Sequence, residues 1–454
     1  MATLLVKSFK NVKAIVSAGP DDQDKKPSNN ELLQNFLARS MDKISKSYVD
    51  VMPDWLQAEF YNPESQRSRL LAHDYQKDDI LTMRSMENCK LVDSVELPLK
   101  SFENFRAAIE ILLQNGLSLY LERFLVPLVG DWPCQFYVRQ VVYHESIHNL
   151  VPMIGPLHIS LNAREIILLK FHPFFVELYA FLFNSKKSLA KKPKPWRISL
   201  LLEVVYGGWL LVRDAIMSVF AGSKDIQYLT LVTLLDTYVP LSLSIYSVVF
   251  KNNMADSYFD SLFRCWLMFL VFRRRHYDKA PLVAISNVEY WKSVDHPIVD
   301  ALFSSLCCFD EYAVENFHSV LRAHTRIFDG PDRIQLVARE IDGRKHDLSS
   351  FQSAFVPKRR QFFSHKNVRA LKMKASEFLT KMFHQIVINP NAAKLIQKPK
   401  QPGQRITKWI LPHIFGEDTV TNDVLPLGYI SYETSPDPLR YAKLICTCSN
   451  ASQK

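Results

Sequence analysis

The chain has 454 residues, of which 48% are hydrophobic, 12% aromatic and 22% charged. This balance is typical of a folded globular protein and excludes a collagen-like, mucin-like or wholly disordered chain. Only 12 glycines are present, and neither GxGxxG nor GxxxxGK[ST] occurs, which disfavours dinucleotide-binding and P-loop folds.

The net charge of +10 is concentrated in two segments. Residues 356–408 contain thirteen Lys or Arg and one acid, a local charge of +12, so the remaining chain sums to −2. Residues 185–197 contain six basic residues and no acid. Such runs either form solvated faces and linkers or bind a polyanion by neutralising phosphates. The basic residues that we assign to nucleic-acid binding are Lys186, Lys187, Lys191, Lys192, Lys194, Arg197, Lys358, Arg359 and Arg360.

Cysteine usage and the N-terminal sequence indicate an intracellular protein. The seven cysteines are odd in number and widely scattered, unlike a disulfide framework. The first residues contain no apolar run long enough for a secretory signal. We therefore expect a nuclear or cytoplasmic protein that is not secreted.

The N-terminal half begins with an expected appendage and continues into a patterned block. Residues 1–95 predict a partly disordered appendage with weak helical spacing over 31–61. Residues 101–122 have apolar side chains at helical spacing. RFLVPLVGDW (123–132) and VPMIGPLHISLN (151–162) predict two buried strands, each weakened by a proline.

From residue 163 to 306 the chain predicts helices almost throughout, which makes the fold α/β but predominantly helical. The predicted helices cover 163–183, 197–221, 226–250, 255–275, 296–308, 310–327 and 367–387. The runs 199–220 and 226–250 approach the apolarity of a membrane span but carry charged residues. Core helices without membrane contact are the expectation, and a helical membrane protein is an alternative.

Two acids in this pattern are candidates for chemistry. Asp131 follows an apolar strand, where a carboxylate is held rigidly at the edge of a sheet, although taken alone an aspartate after Gly130 is more often an ordinary turn residue. In the helix DEYAVENFHSVLRAHTR (310–326), one face carries Glu311, Glu315, His318 and Arg322, and Asp310 is placed to cap the start. That face is either a solvated charged surface or, through Glu315, part of a carboxylate site with Asp131.

Two histidine motifs add further candidates. His144, Glu145 and His148 match HExxH, which in a helix places two imidazoles on one face to bind Zn²⁺, with the glutamate as general base. A chance match is the competing interpretation, since Pro152 follows closely. His158, on the second predicted strand, either faces an active cleft or is satisfied in the core.

The ordered set Gly130-Asp131-Trp132, the strand ending at His158, a long helical stretch and the helix DEYAVENFHS resembles transposon-derived eukaryotic proteins with a DDE-type transposase core. The resemblance implies a ribonuclease H-like sheet over 100–162, an all-helical insertion over 163–306 and a catalytic helix over 307–345. A basic C-terminal region, 346–454, would follow, including LPLGY (425–429), which such proteins carry.

The resemblance also implies function. Asp131 matches the first acid and Glu315 the third, but Pro156 stands where related sequences have the second acid, and His158 is nearby. An active protein would bind DNA and use Mg²⁺ or Mn²⁺ for strand cleavage or transfer, and an inactive descendant is the alternative. The resemblance leaves open whether the protein forms a homo-oligomer. The rivals from other classes are an HExxH zinc peptidase and a non-enzymatic helical scaffold.

Overall fold

The computed structural model describes residues 2–7, 12–13, 29–73, 89–183, 188–220, 223, 226–343 and 365–388. This described part of the chain is predominantly helical with two small sheets, which confirms the predicted class of a mostly helical α/β protein. Three strands in the central sheet do not by themselves define a ribonuclease H-like core. The strands are β1 (Ala2–Lys7), β2 (Val12–Lys13), β3 (Cys89–Val95), β4 (Phe124–Gly130) and β5 (Leu150–Ile154).

Eighteen α-helices lie in the described part of the chain. The first nine are α1 (Asn29–Ile44), α2 (Tyr48–Val51), α3 (Asp54–Glu59), α4 (Pro63–Leu71), α5 (Phe102–Leu112), α6 (Ser118–Leu121), α7 (Trp132–His144), α8 (Pro156–Lys170) and α9 (His172–Phe183). The others are α10 (Pro195–Phe220), α11 (Ile226–Thr233), α12 (Val239–Ser244), α13 (Ala255–Phe272), α14 (Ala280–Ser293), α15 (Ile298–Ser305), α16 (Tyr312–His324), α17 (Pro331–Gly343) and α18 (His365–Ile388). π-helical turns at Leu113–Leu117, Leu234–Tyr238 and Ile245–Phe250 interrupt this series.

The central sheet has the order β2-β4-β5. β4 and β5 are parallel, in a register that runs from Val126 opposite Leu150 to Gly130 opposite Ile154. α7 connects these two strands, as parallel pairs require a crossover. β2 pairs antiparallel with the start of β4, while β1 and β3 form a separate antiparallel pair.

The main hydrophobic core corrects the expectation of an appendage over residues 1–95. Phe36, Tyr48, Leu56 and Leu70, from α1 to α4, are buried in the same cluster as the helices of the predicted insertion. Although the apolar residues of these helices show only weak helical spacing, the helices can still pack into the core, because each buries only one or two large side chains. The disordered stretch is predicted at residues 18–31; residues 18–28 lie outside the described residues, and residues 29–31 instead begin α1.

Helix α18 packs along α10, although it lies in the predicted C-terminal region. A Cβ at Gly208 would come within 2.7 Å of Ala375 Cβ and 2.8 Å of the Ser376 backbone nitrogen, so a glycine is needed for this close approach. Lys372 of α18 also ends in the core, 2.9 Å from the buried Glu203. This helix is therefore part of the folded core rather than a basic tail.

One segment of the described chain is long and apolar enough to cross a membrane. Gln227–Phe250 contains an 18-residue window of mean hydropathy 1.4, but 78% of that window is buried within the fold, as is usual for a core helix. The bent pair α8 and α9 passes the same test only if taken as one broken span, with an 86° bend.

Candidate functional site

The carboxyl ends of β4 and β5 lie side by side and form the base of the candidate site. Gly155 N–H donates to the Gly130 carbonyl at 2.6 Å, immediately beyond the last paired residues. Each strand then turns into a helix, β4 into α7 and β5 into α8. Residues just after parallel strands meet at one sheet edge, where ligands bind in open α/β sheets.

Asp131 lies at this edge, as the sequence predicted, and also caps a helix. Its Oδ1 accepts a hydrogen bond from Cys134 N–H at 3.0 Å, the N-cap arrangement at the start of α7. The side chain is half-buried, and the second carboxylate oxygen is not engaged in that bond. The turn role and a role in the site are therefore compatible.

His158 belongs to a helix, which corrects its predicted place on a strand. β5 ends at Ile154, Gly155 is the N-cap of α8 and Pro156 occupies the first helical position. Proline suits that position because its missing N–H would be unpaired there and its φ is already helical. The apolar run continues across this boundary, so hydrophobicity alone could not locate it.

Glu311 supplies the cap that Gly155 lacks. The first N–H groups of a helix have no partner within it, and Gly155 has no side chain to offer. Glu311 Oε1 accepts from His158 N–H at 2.8 Å and lies 2.8 Å from the same residue's Nδ1. A Cβ at Gly155 would overlap the Glu311 carboxylate, so the glycine makes room for a side chain 156 positions away.

The imidazole of His158 lies between two carboxylates. Its Nε2 is 3.6 Å from Glu315 Oε1, while Nδ1 faces Glu311. Glu315 is one turn into α16 and also lies 4.0 Å from Arg322 on the next turns of that helix. Asp310 precedes the N-cap residue Glu311, and its Oδ2 accepts from the Tyr246 hydroxyl at 3.0 Å.

These carboxylates and His158 form one electrostatic cluster with Asp131. We call Asp131, His158, Glu311 and Glu315 the acidic cluster. Burial lowers the pKa of His158, but the hydrogen bond and charge of Glu311, with Glu315 and Asp131, outweigh it and raise that pKa to about 9. The pKa of Glu315 is raised, mainly by burial and also by Glu311 and Asp131, against the opposing effect of His158. The charge of Asp131 therefore acts on both His158 and Glu315 in the folded chain.

The donors of this cluster are suited to a hard divalent cation, although they do not enclose one in this arrangement. Among the described residues, no three His, Cys, Asp or Glu side chains are grouped to hold a metal ion. The ring of His158 occupies the space between Glu311 and Glu315. Carboxylate oxygens are nevertheless the ligands that Mg²⁺ and Mn²⁺ prefer, and Glu311 Oε2 is buried without a hydrogen-bond partner in the described chain.

Asp236, in the predicted helical insertion, is held by side chains of α10. Its carboxylate accepts from Trp209 Nε1 at 2.6 Å and from Arg213 at 2.9 and 3.0 Å. This buried ion pair joins the π-helical turn to α10, so Asp236 is a structural residue.

The HExxH match does not form the helical face that zinc binding requires. α7 ends at His144, Glu145 is its C-cap, and Ser146 has a positive φ of 50°. His148 follows in the turn before β5, so the two imidazoles do not share a helical face. Glu145 instead pairs with Arg106 at 3.0 Å.

The basic residues fall partly within the described chain. Lys191, Lys192 and Lys194 are exposed in the connection between α9 and α10, and Arg197 stacks over Trp196 at 5.0 Å. Lys186, Lys187, Lys358, Arg359 and Arg360 lie outside the described residues, as does LPLGY. On α18 the exposed basic residues are Lys366, Arg369, Lys374 and Lys381.

Glu311 is the site residue that sequence reasoning did not assign. Its spacing of four residues from Glu315 was visible, but the same spacing suits a solvated face. The stronger signal was the pair Gly155-Pro156, which predicts a helix start without its own cap.

Comparison with profiles of known protein families, with curated proteins and with solved structures found no match to this chain.

Proposed function

We propose that this chain is a DNA-binding protein of transposon origin whose acidic cluster performs, or once performed, divalent-cation-dependent strand cleavage or transfer. The observation that carries the proposal is the meeting of Asp131, His158 and Glu315 at the carboxyl edge of β4 and β5. These residues come from three separate parts of the sequence, and titratable residues with perturbed pKa values at a sheet edge are candidates for a functional site. In this reading the sheet belongs to a ribonuclease H-like core.

Each residue has a defined role in the proposal. Asp131 and Glu315 would hold Mg²⁺ or Mn²⁺, which when bound activates a water or 3′-hydroxyl and stabilises the leaving oxygen of a phosphodiester. Asp131 is fixed by its bond to the start of α7, and Glu315 by its position in the first turn of α16. His158 lies next to the proposed cation ligands, since its Nε2 is 3.6 Å from Glu315 Oε1.

Phosphate binding is assigned to the exposed lysines of two adjoining segments. α18 packs against α9 and α10, and Lys191, Lys192 and Lys194 lie in the connection between those two helices. Lys381 of α18 lies over the Phe181 ring of α9 at 5.2 Å, which ties the two segments together. Such contacts bind the DNA backbone without reading sequence.

The test is nicking of supercoiled DNA by the full chain in Mg²⁺ or Mn²⁺. We expect activity that is lost in both Asp131→Ala and Glu315→Ala and retained in Glu377→Ala, which changes an exposed acid on α18. Equal nicking by all three variants would refute the proposed site. DNA binding without nicking by the wild type would select the inactive descendant, and absence of binding would refute the DNA-binding protein altogether.

A further inference from the structure

A stack of aromatic rings reaches the surface beside the acidic cluster. Phe136 and Trp132 of α7 stack with their ring centroids 5.8 Å apart, and the imidazole of His276 stacks on Trp132 at 5.9 Å. Trp132 is buried whereas His276 is exposed, so the accessible side of the imidazole is the one turned away from Trp132. Trp132 directly follows Asp131, which places this ring close to the carboxyl edge of β4 and β5.

The α13–α14 loop, residues 273–279, carries this imidazole and is anchored at two points. Arg274 donates to Asn162 Oδ1 of α8 at 2.6 and 2.8 Å. Tyr277 is buried; burial raises the pKa of its hydroxyl, and a hydrogen bond from the Trp132 backbone opposes that shift. A loop held in this way loses less conformational freedom when a ligand binds its exposed side chains.

Positive charges are concentrated around the same ring. Arg273 and Arg275 are exposed on the loop. Burial lowers the pKa of His276, and the charges of Arg275 and Lys279 lower it further. Burial also lowers the pKa of Lys170 at the end of α8, and the charge of Arg273 adds to that effect. Like charges held together repel one another, and an anionic group bound among them removes that cost.

Two acids beside the loop are paired with its other cations. Glu165 of α8 contacts Arg274, and Asp278 lies 3.9 Å from Lys279. The loop therefore retains a positive surface despite these carboxylates.

The backbone of the loop is strained at two of its exposed residues. Arg273 has a φ of 55° and His276 a φ of 73°, in the left-handed region that favours glycine. Such strain persists where the surrounding structure imposes it, and it clusters at ligand-binding sites.

From this arrangement we infer that the α13–α14 loop binds an unpaired nucleotide, with the base stacked on His276 and the phosphate held by Arg273 and Arg275. An aromatic ring for the base and cations for the backbone are the means by which proteins bind single strands without reading sequence. Inside a duplex the neighbouring bases cover both faces of each base, so an unpaired nucleotide fits this ring. The inference goes beyond the proposed function, because it requires neither a metal ion nor strand cleavage.

The experiment is fluorescence anisotropy of a labelled single-stranded oligothymidylate with the full chain, without metal ions. We expect His276→Ala to weaken binding about 5- to 100-fold, as for the loss of one stacked base. His276→Phe keeps an aromatic ring and should bind as the wild type does. Arg275→Ala should make the salt dependence shallower, its logarithmic slope falling by about 0.7. Arg339→Ala, which removes an exposed arginine on α17, is the matched control.

Three results would overturn the inference. These are no binding of the single strand by the wild type, equal binding by His276→Ala, and binding by His276→Phe as weak as that by His276→Ala. An equal loss of affinity for the duplex with oligoadenylate would also contradict it, because a paired base cannot stack on the ring. Loss of nicking with His276-dependent binding intact would refute the proposed function alone.

The source of the nucleotide is resolved by competition. A free mononucleotide and a single strand share the chemistry that the loop recognises. Displacement of the oligothymidylate by thymidine monophosphate assigns the site to free nucleotides as well, and resistance to displacement assigns it to strands. Either result supports the inference when it is accompanied by the effect of His276→Ala.

A measurement on the wild type covers the case in which His276→Ala does not fold, as judged by far-UV circular dichroism. Proton NMR follows the imidazole signal of His276, which is assigned by its absence from the spectrum of His276→Phe. A base stacked on the ring should shift this signal upfield as the oligothymidylate is added. An unchanged signal at saturating oligothymidylate overturns the inference.

Discussion

Gly155→Ala is the substitution that most directly tests how the site is built. The added Cβ would overlap the Glu311 carboxylate, which must then leave its position on α8. Glu311 would lose its hydrogen bonds to the His158 N–H and Nδ1, both at 2.8 Å. Two charge-assisted hydrogen bonds contribute about 3–6 kcal/mol, at roughly 1.5–3 kcal/mol each. Partial relaxation of the side chain reduces the expected loss of unfolding free energy to about 2–4 kcal/mol.

Urea unfolding gives the stability, and the His158 imidazole gives a local readout. The pKa of His158 is raised to about 9, since Glu311, Glu315 and Asp131 outweigh the lowering by burial. A raised pKa contributes stability below the ordinary histidine pKa that is lost as pH rises through 9. In Gly155→Ala, NMR titration of this histidine should therefore show a lower pKa. The stability difference from the wild type should be fully present below the ordinary histidine pKa of 6.5 and shrink as pH rises through 9.

The control is Gly330→Ala, because no atom lies within 4 Å of a Cβ built at that position. It should unfold at nearly the wild-type urea concentration. The reasoning is refuted if Gly155→Ala is as stable as Gly330→Ala and the His158 pKa is unchanged. That result would mean that Glu311 does not depend on the space left by Gly155.

Three further predictions concern the core and the basic surface. Glu203→Gln should lower the free energy of unfolding in urea by roughly 3–5 kcal/mol, because it leaves Arg69 and Lys372 without the carboxylate that pairs with both. Burial raises the pKa of Glu203 but its two cationic partners hold it at about 2, so its contribution should be lost as pH falls from the ordinary carboxyl range toward 2. Gly208→Ala should cost about 1–3 kcal/mol by forcing α10 and α18 apart, measured in the same assay. Replacing Lys191, Lys192 and Lys194 by Ala should weaken DNA binding without changing sequence preference. The salt dependence of the binding constant should become shallower, its logarithmic slope falling by about 0.9 for each phosphate that is no longer neutralised.

Asp131 and Glu315 could be proposed from the sequence because each lies beside a strong local signal. An apolar strand ends just before Asp131, and α16 has clear helical periodicity around Glu315. The predicted helices 226–250 and 255–275 lie close to observed ones for the same reason. Local pattern is sufficient where the element and its boundary are encoded by neighbouring residues.

Long-range contacts explain what the sequence could not reveal. His158 was predicted on a strand because the apolar run crosses from β5 into α8, and only the Gly155-Pro156 pair marks the boundary. The place of α1 to α4 in the core depends on partners nearly two hundred residues away, such as Tyr48 with Ser244. The role of Glu311 depends on the start of α8, where it accepts a hydrogen bond from His158, 153 residues earlier in the sequence.

The cap that Glu311 provides for α8 has a consequence for biosynthesis. A ribosome makes β4, β5 and α8 long before it reaches α16, so the emerging chain has an incomplete helix start and a lone Asp131. The acidic cluster is complete only after the segment through Glu315 has been released and docked. Any activity that depends on this cluster is therefore confined to the finished chain, and a product truncated before residue 311 would be inert even if its sheet had folded.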